Sequence, residues 1–166
     1  MNYYVLFCQS LKIDKLYQVF NSKEGIEAFI PKMERYIRSK DMIVLINMFP
    51  GYLFIKTKMN QIEFDTFLLL MNEQRDGIIR ELKKDEVSAL TQEEIYLLDI
   101  LLDDEYLLRM SKVYKVNGKT VVIEGPLKKL EKHIVSVDKK SHEAVLNIQL
   151  LNKKLKAGIE MQNSKV

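Results

Sequence analysis

Apolar residues recur along this chain with two different periods, and the change from one to the other divides it. Ile13, Leu16, Tyr17 and Phe20 fall at i, i+3, i+4 and i+7, which predicts a helix near Lys12 to Phe20 with one apolar face. Phe64, Phe67, Leu68 and Met71 repeat that spacing and predict a second helix near Gln61 to Asn72, with Asn60 placed to cap it and Glu63 three residues on. A third starts at Thr91-Gln92-Glu93-Glu94. There the Thr91 hydroxyl and the Glu94 carboxylate can each satisfy a free backbone N–H ahead of Ile95, Leu98 and Leu102. Between the helices lie apolar and aromatic runs that read as strands: Tyr3 to Cys8, Ile26 to Ile30, Met42 to Asn47, Tyr52 to Thr57 and a short piece at Ile78-Ile79. Helices interspersed with such strands predict an α+β fold, an antiparallel sheet flanked by helices.

From Val113 the helical period disappears. Val113 to Val116, Lys119 to Ile123, His133 to Val137, Ala144 to Leu150 and Lys156 to Met161 read as short strands, and Asn117-Gly118 is a tight-turn pair because both residues tolerate positive φ. This predicts a small all-β barrel, which the Val and Ile content of its strands favours as a stable one. The join, roughly Leu102 to Ser111, contains Asp103-Asp104-Glu105 and no Gly or Pro, and reads either as a short linker or as the tail of the third helix. The chain is therefore expected to form two domains, 1–106 and 107–166.

Charge sharpens the division. Residues 1 to 110 hold 14 Lys and Arg against 18 Asp and Glu, a net −4; residues 111 to 166 hold 12 Lys, no Arg and 5 Asp and Glu, a net +7. Such a module suits a polyanion, the alternative being a well-solvated small domain. Its only aromatic is Tyr114, so it lacks the stacking platforms of single-strand readers, and lysine lacks the guanidinium fork suited to guanine edges. What remains is shape-dependent phosphate binding to a structured RNA. The candidate contacts are Lys119 at the start of its strand, Lys128, Lys129, Lys132 and His133, which lie in the turn after Gly125-Pro126, Lys139 and Lys140 in the next turn, and Lys153 and Lys154; each has solvation as its plainer reading.

Little else offers chemistry. His133 and His142 have neither HExxH spacing nor a cysteine partner, and no glycine-rich phosphate loop or GxSxG elbow occurs, so neither a metal site, a cofactor nor catalysis is expected. Cys8, the single cysteine, excludes an intrachain disulfide and sits in an apolar strand where an inert thiol is expected. No secretory start and no apolar run of membrane-spanning length occurs, so a cytoplasmic chain with no membrane contact is expected.

Phe49-Pro50-Gly51-Tyr52-Leu53-Phe54-Ile55-Lys56 is apolar on both faces of its strand, which implies core packing for most of its aromatics and leaves a patch suited to a partner. This segment resembles the FPGYxxV strand of NusG-type transcription elongation factors. Tyr3-Tyr4-Val5-Leu6-Phe7 precedes it as that family's first strand, and Val121-Val122-Ile123-Glu124-Gly125-Pro126-Leu127 resembles the VxxGPF segment of the family's KOW module, a small SH3-like barrel. The resemblance implies that Tyr3, Phe7, Phe49, Pro50, Tyr52 and Phe54 grip the clamp helices of the largest catalytic subunit of RNA polymerase. It leaves open contact with non-template DNA and with a ribosomal protein, and the chain is taken as a monomer. Tyr3 stands where the family's first strand has tryptophan, and the lysine-rich Lys128-Lys129-Leu130-Glu131-Lys132-His133 replaces the glycine after the GPF turn. Tyr4 to Cys8 and Leu146 to Lys156 resemble specialised paralogues such as RfaH, whereas the lysine-rich turn and Gly25 to Lys32 are most similar to the LoaP branch. That branch implies processive antitermination with recruitment through an RNA hairpin. A general NusG factor whose barrel meets a ribosomal protein or termination factor, and a stand-alone KOW RNA-binding protein, are the competing readings.

Overall fold

The computed structural model of the chain describes residues 1–163. In chain order its elements are β1 (Asn2–Cys8), α1 (Ile13–Asn21), β2 (Ile26–Phe29), β3 (Lys32–Ile37), β4 (Met42–Asn47), β5 (Tyr52–Thr57), α2 (Gln61–Leu70), β6 (Ile78–Glu81), β7 (Lys83–Lys84), β8 (Val87–Ser88), α3 (Gln92–Leu101), β9 (Leu107–Leu108), β10 (Ser111–Val116), β11 (Lys119–Glu124), β12 (Ile134–Asp138), β13 (Glu143–Leu150) and β14 (Lys153–Met161). They form two compact units, one of residues 1–30 and 49–95, the other of residues 31–48 and those from Tyr96 onward.

The first unit is built on an antiparallel sheet in the order β2-β5-β1-β6. Strand alternation decides what it buries. Tyr4, Leu6 and Cys8 of β1 join Leu53 and Ile55 of β5 and Ile26 and Ala28 of β2 on one face. Onto that face pack Ile13, Leu16 and Phe20 of α1 and Phe64 and Leu68 of α2. Tyr17, the remaining residue of the predicted α1 stripe, lies at the exposed margin. The Tyr4 ring stacks on Phe64 with centroids 4.2 Å apart while its hydroxyl donates to the Met59 carbonyl at 2.7 Å. Both predicted capping boxes form. The Glu63 N–H donates to Asn60 Oδ1 at 2.9 Å and the Asn60 N–H to Glu63 Oε1 at 3.1 Å, and Thr91 and Glu94 make the same exchange at 3.2 and 3.1 Å.

The second unit carries a five-stranded sheet in the order β11-β10-β14-β13-β12, antiparallel except for the parallel β10–β14 pair. Its core is Val113, Val122, Leu127, Leu130, Leu146, Leu150, Leu155 and Ile159. Asn117 at φ +49° and Gly118 at φ +79° close the β10–β11 hairpin as their types require. The segment after Gly125-Pro126, expected as a turn, is instead a 3-10 helix over Pro126–His133. Leu127 and Leu130, three apart, eclipse in that geometry and both face the core. Gly125 is held close beneath it: a Cβ there would meet Ser111, whose hydroxyl accepts from the Leu127 N–H at 3.0 Å.

The same unit contains the hairpin of β3 and β4, with β9 added parallel to β3. β3 was not expected from the sequence, because Lys32, Glu34 and Arg35 break up the apolar signal of Met33, Tyr36 and Ile37. Pairing with the apolar β4 supplies what its own pattern lacks.

Candidate interaction surfaces

Alternation on the first unit's sheet sends Tyr3, Val5 and Phe7 of β1 to the face opposite α1 and α2, opposite Lys56, Phe54 and Tyr52 of β5 in the ladder. Phe49, Pro50 and Gly51 form the turn into β5. Gly51 adopts φ +85°, the Tyr52 N–H donates to the Phe49 carbonyl at 3.0 Å, and a Cβ on Gly51 would press on the Phe7 ring at 2.9 Å. Glycine therefore both permits the turn and lets the aromatic ring lie against it.

The rings make one connected series. Tyr3 meets Phe29 edge-on at 6.5 Å, Phe29 stacks on Phe54 at 5.3 Å, Phe54 meets Phe49 at 5.6 Å, Phe49 stacks on Tyr52 at 6.1 Å, and Tyr52 meets Phe7 edge-on at 5.8 Å. Five of the six residues the sequence singled out thus lie in one ring series, and Pro50 is exposed beside it. They differ in access: Phe54 is 0% and Phe49 5% exposed, whereas Tyr3, Phe7 and Tyr52 are half-buried. Lys56 Nζ lies 5.7 Å from the centre of the Tyr3 ring, a cation–π distance. Phe29 was missed. Its signal was available, since in Ile26-Glu27-Ala28-Phe29 a period of two places Phe29 away from the buried Ile26 and Ala28.

The basic residues of the second unit divide between the two ends of its sheet. Lys139 and Lys140 occupy the β12–β13 turn, where Asp138 Oδ1 accepts the Lys140 N–H at 2.8 Å and the Ser141 N–H at 3.2 Å. Asp138 pairs with Glu143, which pairs with Gly158, and Lys119 starts β11 beyond the Val113–Met161 pair, so these three lysines share the end where β14 finishes. Lys153 and Lys154 lie at the other end, where β14 begins. His133 belongs with them: its Nδ1 is 3.2 Å from Asn147 Oδ1 of β13, two residues from Gln149, the partner of Lys154. Lys128, Lys129 and Lys132 are exposed on the 3-10 segment, and Lys128 Nζ donates to the Val122 carbonyl at 2.7 Å. Lys156, exposed two residues past Lys154 and across from Val145, was not singled out, although its period-two relation to Lys154 marks the same strand face. Tyr114 is buried and offers no ring for stacking.

Burial pushes the Cys8 thiol up to about 12, so at neutral pH it is protonated and a poor nucleophile or ligand. Among the described residues no group of His, Cys, Asp and Glu is gathered to hold a metal ion, and no helix is long and apolar enough to cross a membrane.

A family model described as transcription termination factor nusG matches residues 1–99. Among solved structures the chain is similar to one titled "Domain interaction in Thermotoga maritima NusG", with a TM-score of 0.52 and 16% identity over 93% of this chain and 90% of that one. That likeness shows the fold, a NusG-type α+β unit and a small β-sheet module. No curated protein matches.

Proposed function

The chain belongs to the NusG family, and from that premise we propose that it is a specialised antitermination factor of the LoaP type. Members of the family are transcription factors that bind RNA polymerase and act by binding rather than catalysis. The chain divides functionally at residue 106. The N-terminal module, 1–106, holds the clamp helices of the largest polymerase subunit, with Tyr52, Phe7, Tyr3 and exposed Pro50 as the touching groups and Phe49 and Phe54 stacked behind them. The KOW module, 107–166, holds a structured hairpin in the nascent leader RNA, which confines the factor to transcripts that carry it.

One observation carries the RNA part of the proposal: 12 lysines against five acids in residues 111 to 166, with their single aromatic buried. Such a module gains most from dense phosphates of fixed geometry and least from stacking. A general factor, whose KOW module meets a ribosomal protein or termination factor, has no need of this charge. The test is full-length protein titrated with an RNA hairpin and with a single strand of equal length over a range of salt. The hairpin should bind more tightly, and Lys129→Ala with Lys132→Ala should flatten the salt dependence by roughly 0.7 to 0.9 in log–log slope for each phosphate no longer neutralised. Equal binding of both RNAs, or an unchanged slope, would favour the general factor. Failure to retain core RNA polymerase in a pull-down would favour a stand-alone RNA-binding protein.

A further inference from the structure

The lysines explain attachment to RNA but not choice among RNAs, because phosphate contacts position a ligand without reading its sequence. The outward side of β13 carries groups of a different kind. Asn147 and Gln149 are both exposed there, alternating with buried Leu146 and Leu150 and half-buried Ile148. Amides are the side chains that present a donor and an acceptor in one plane, the pattern a base edge presents in return.

The backbone is irregular at this place. From Val145 to Gln149 β13 advances four residues while its partner β14 advances only two, from Lys156 to Lys154. Two extra residues are therefore accommodated around Leu146 to Ile148, a bulge that takes Asn147 out of the regular ladder. The ladder with β12 is broken at the same level, between Ile134 and Ser136. On that side His133 Nδ1 reaches Asn147 Oδ1 at 3.2 Å. In the tautomer with the proton on Nδ1, the imidazole donates to the amide oxygen, orienting the amide and leaving its Nδ2 hydrogens for a ligand. Lys154 and Lys156, both exposed, flank the site on β14, and Lys132 precedes it on the 3-10 segment.

We propose that Asn147 and Gln149, with His133 as the positioning residue, form the element of the KOW module that reads unpaired bases in a loop or bulge of the RNA hairpin, while Lys132, Lys154 and Lys156 hold the flanking phosphates. This rests on the RNA-binding reading above. Unpaired bases are the required target: the major groove of a paired RNA helix is too deep and narrow for short amides, whereas splayed bases expose their edges. Among the described residues no Phe, Tyr or Trp ring is exposed on β13, and His133 is engaged with Asn147, so hydrogen bonds to those edges are the means of selection this surface offers.

The probe is a pool of RNA hairpins of constant stem and randomised loop, selected with the full-length protein and sequenced. Wild type should enrich a restricted set of loops, and the double variant Asn147→Ala, Gln149→Ala should bind the unselected pool within about twofold of wild type while its enrichment falls about tenfold or more, the scale of a lost amide–base pair. Asn147→Asp keeps the size of the side chain and discards its donors; it should lose enrichment too, and it serves if the double variant is poorly folded. Undiminished enrichment by folded variants would overturn the assignment. Binding of the pool by wild type without enrichment would overturn it while leaving RNA binding intact, and absence of any RNA binding would remove the premise as well.

Discussion

Tyr52 and Phe54 stand two residues apart on one face of β5 and are members of the same ring series, yet Phe54 is fully enclosed and Tyr52 is half-buried with an aromatic neighbour on either side. Replacing them with Ala should therefore fail in different ways. Phe54→Ala removes a core ring and should cost about 3–5 kcal/mol of stability, read as a lower unfolding midpoint. Tyr52→Ala should leave that midpoint nearly in place and weaken binding to core polymerase by about 2 kcal/mol, close to 30-fold. If Tyr52→Ala instead unfolds the protein as Phe54→Ala does, and its folded fraction binds polymerase unchanged, Tyr52 is a packing residue and the surface lies elsewhere. The sequence named both residues but could not separate them. Period-two alternation gives the face of a strand, whereas depth on that face depends on Phe29 and Phe49, which reach it from other segments. The amides of β13 were invisible for a related reason, since a bulge is a property of two strands in register and leaves no local signal.

Elements with local signals were the legible ones. α1, α2 and α3 follow from apolar spacing and caps, while β3 depends on pairing with the next strand, β4, and the 3-10 segment on geometry that periodicity does not resolve. Contacts between elements carry consequences of their own, as between α2 and β6. Gln61 Nε2 at the start of α2 donates to Glu81 Oε2 of β6 at 2.9 Å and to Asp65 Oδ1 at 2.9 Å, and Lys83 Nζ pairs with Asp65 Oδ2 at 2.9 Å. Burial, helped by the neighbouring Asp65 carboxylate, pushes the Glu81 carboxyl up to about 7. The folded chain thus holds this proton more tightly than the unfolded chain, whose glutamate titrates near 4.5. The stability it contributes is complete below about pH 4.5 and is lost as pH rises through about 7. Allowing for partial solvent access, the loss should be about 1–2 kcal/mol. Glu81→Gln cannot ionise and still accepts from Gln61, so unfolding midpoints measured from pH 4.5 to 8 should lose this component of their decline. Parallel pH profiles for variant and wild type would count against a Glu81 carboxyl raised by burial.

At the scale of the whole molecule, the charge contrast between residues 1–110 and 111–166 could be read directly, but the grouping in space could not. The β3–β4 hairpin belongs to the compact unit of the residues from Tyr96 onward because of contacts separated by some seventy positions in sequence, which no periodicity encodes. Glu34 makes the central one. Its Oε1 accepts the Met110 N–H at 2.8 Å and its Oε2 lies 3.7 Å from Arg109 Nη1, while the Arg109 Nε bonds Asp103 at 2.8 Å. Asp103 Oδ1 in turn accepts the Glu105 and Leu107 N–H groups, and β9 pairs with Met33 beside Glu34. The segment around the proposed join at residue 106 is therefore held by a chain of bonds that ends on one carboxylate. Glu34→Ala leaves the Met110 N–H without its partner and should cost about 1–3 kcal/mol, the usual penalty for an orphaned, partly buried donor. Glu34→Gln keeps an acceptor for Met110 and gives up only the longer, exposed ion pair, so it should cost less than about 1 kcal/mol. Trypsin supplies the readout through its sites at Arg109 and Lys112. Wild type and Glu34→Gln should be cut slowly there, and Glu34→Ala should release a fragment beginning at Met110 or Val113 much sooner. Rapid cleavage of all three at these sites would show that the join is loose whatever Glu34 does, and equally slow cleavage of the Gln and Ala variants would show that the hydrogen bond to Met110 is not what holds it.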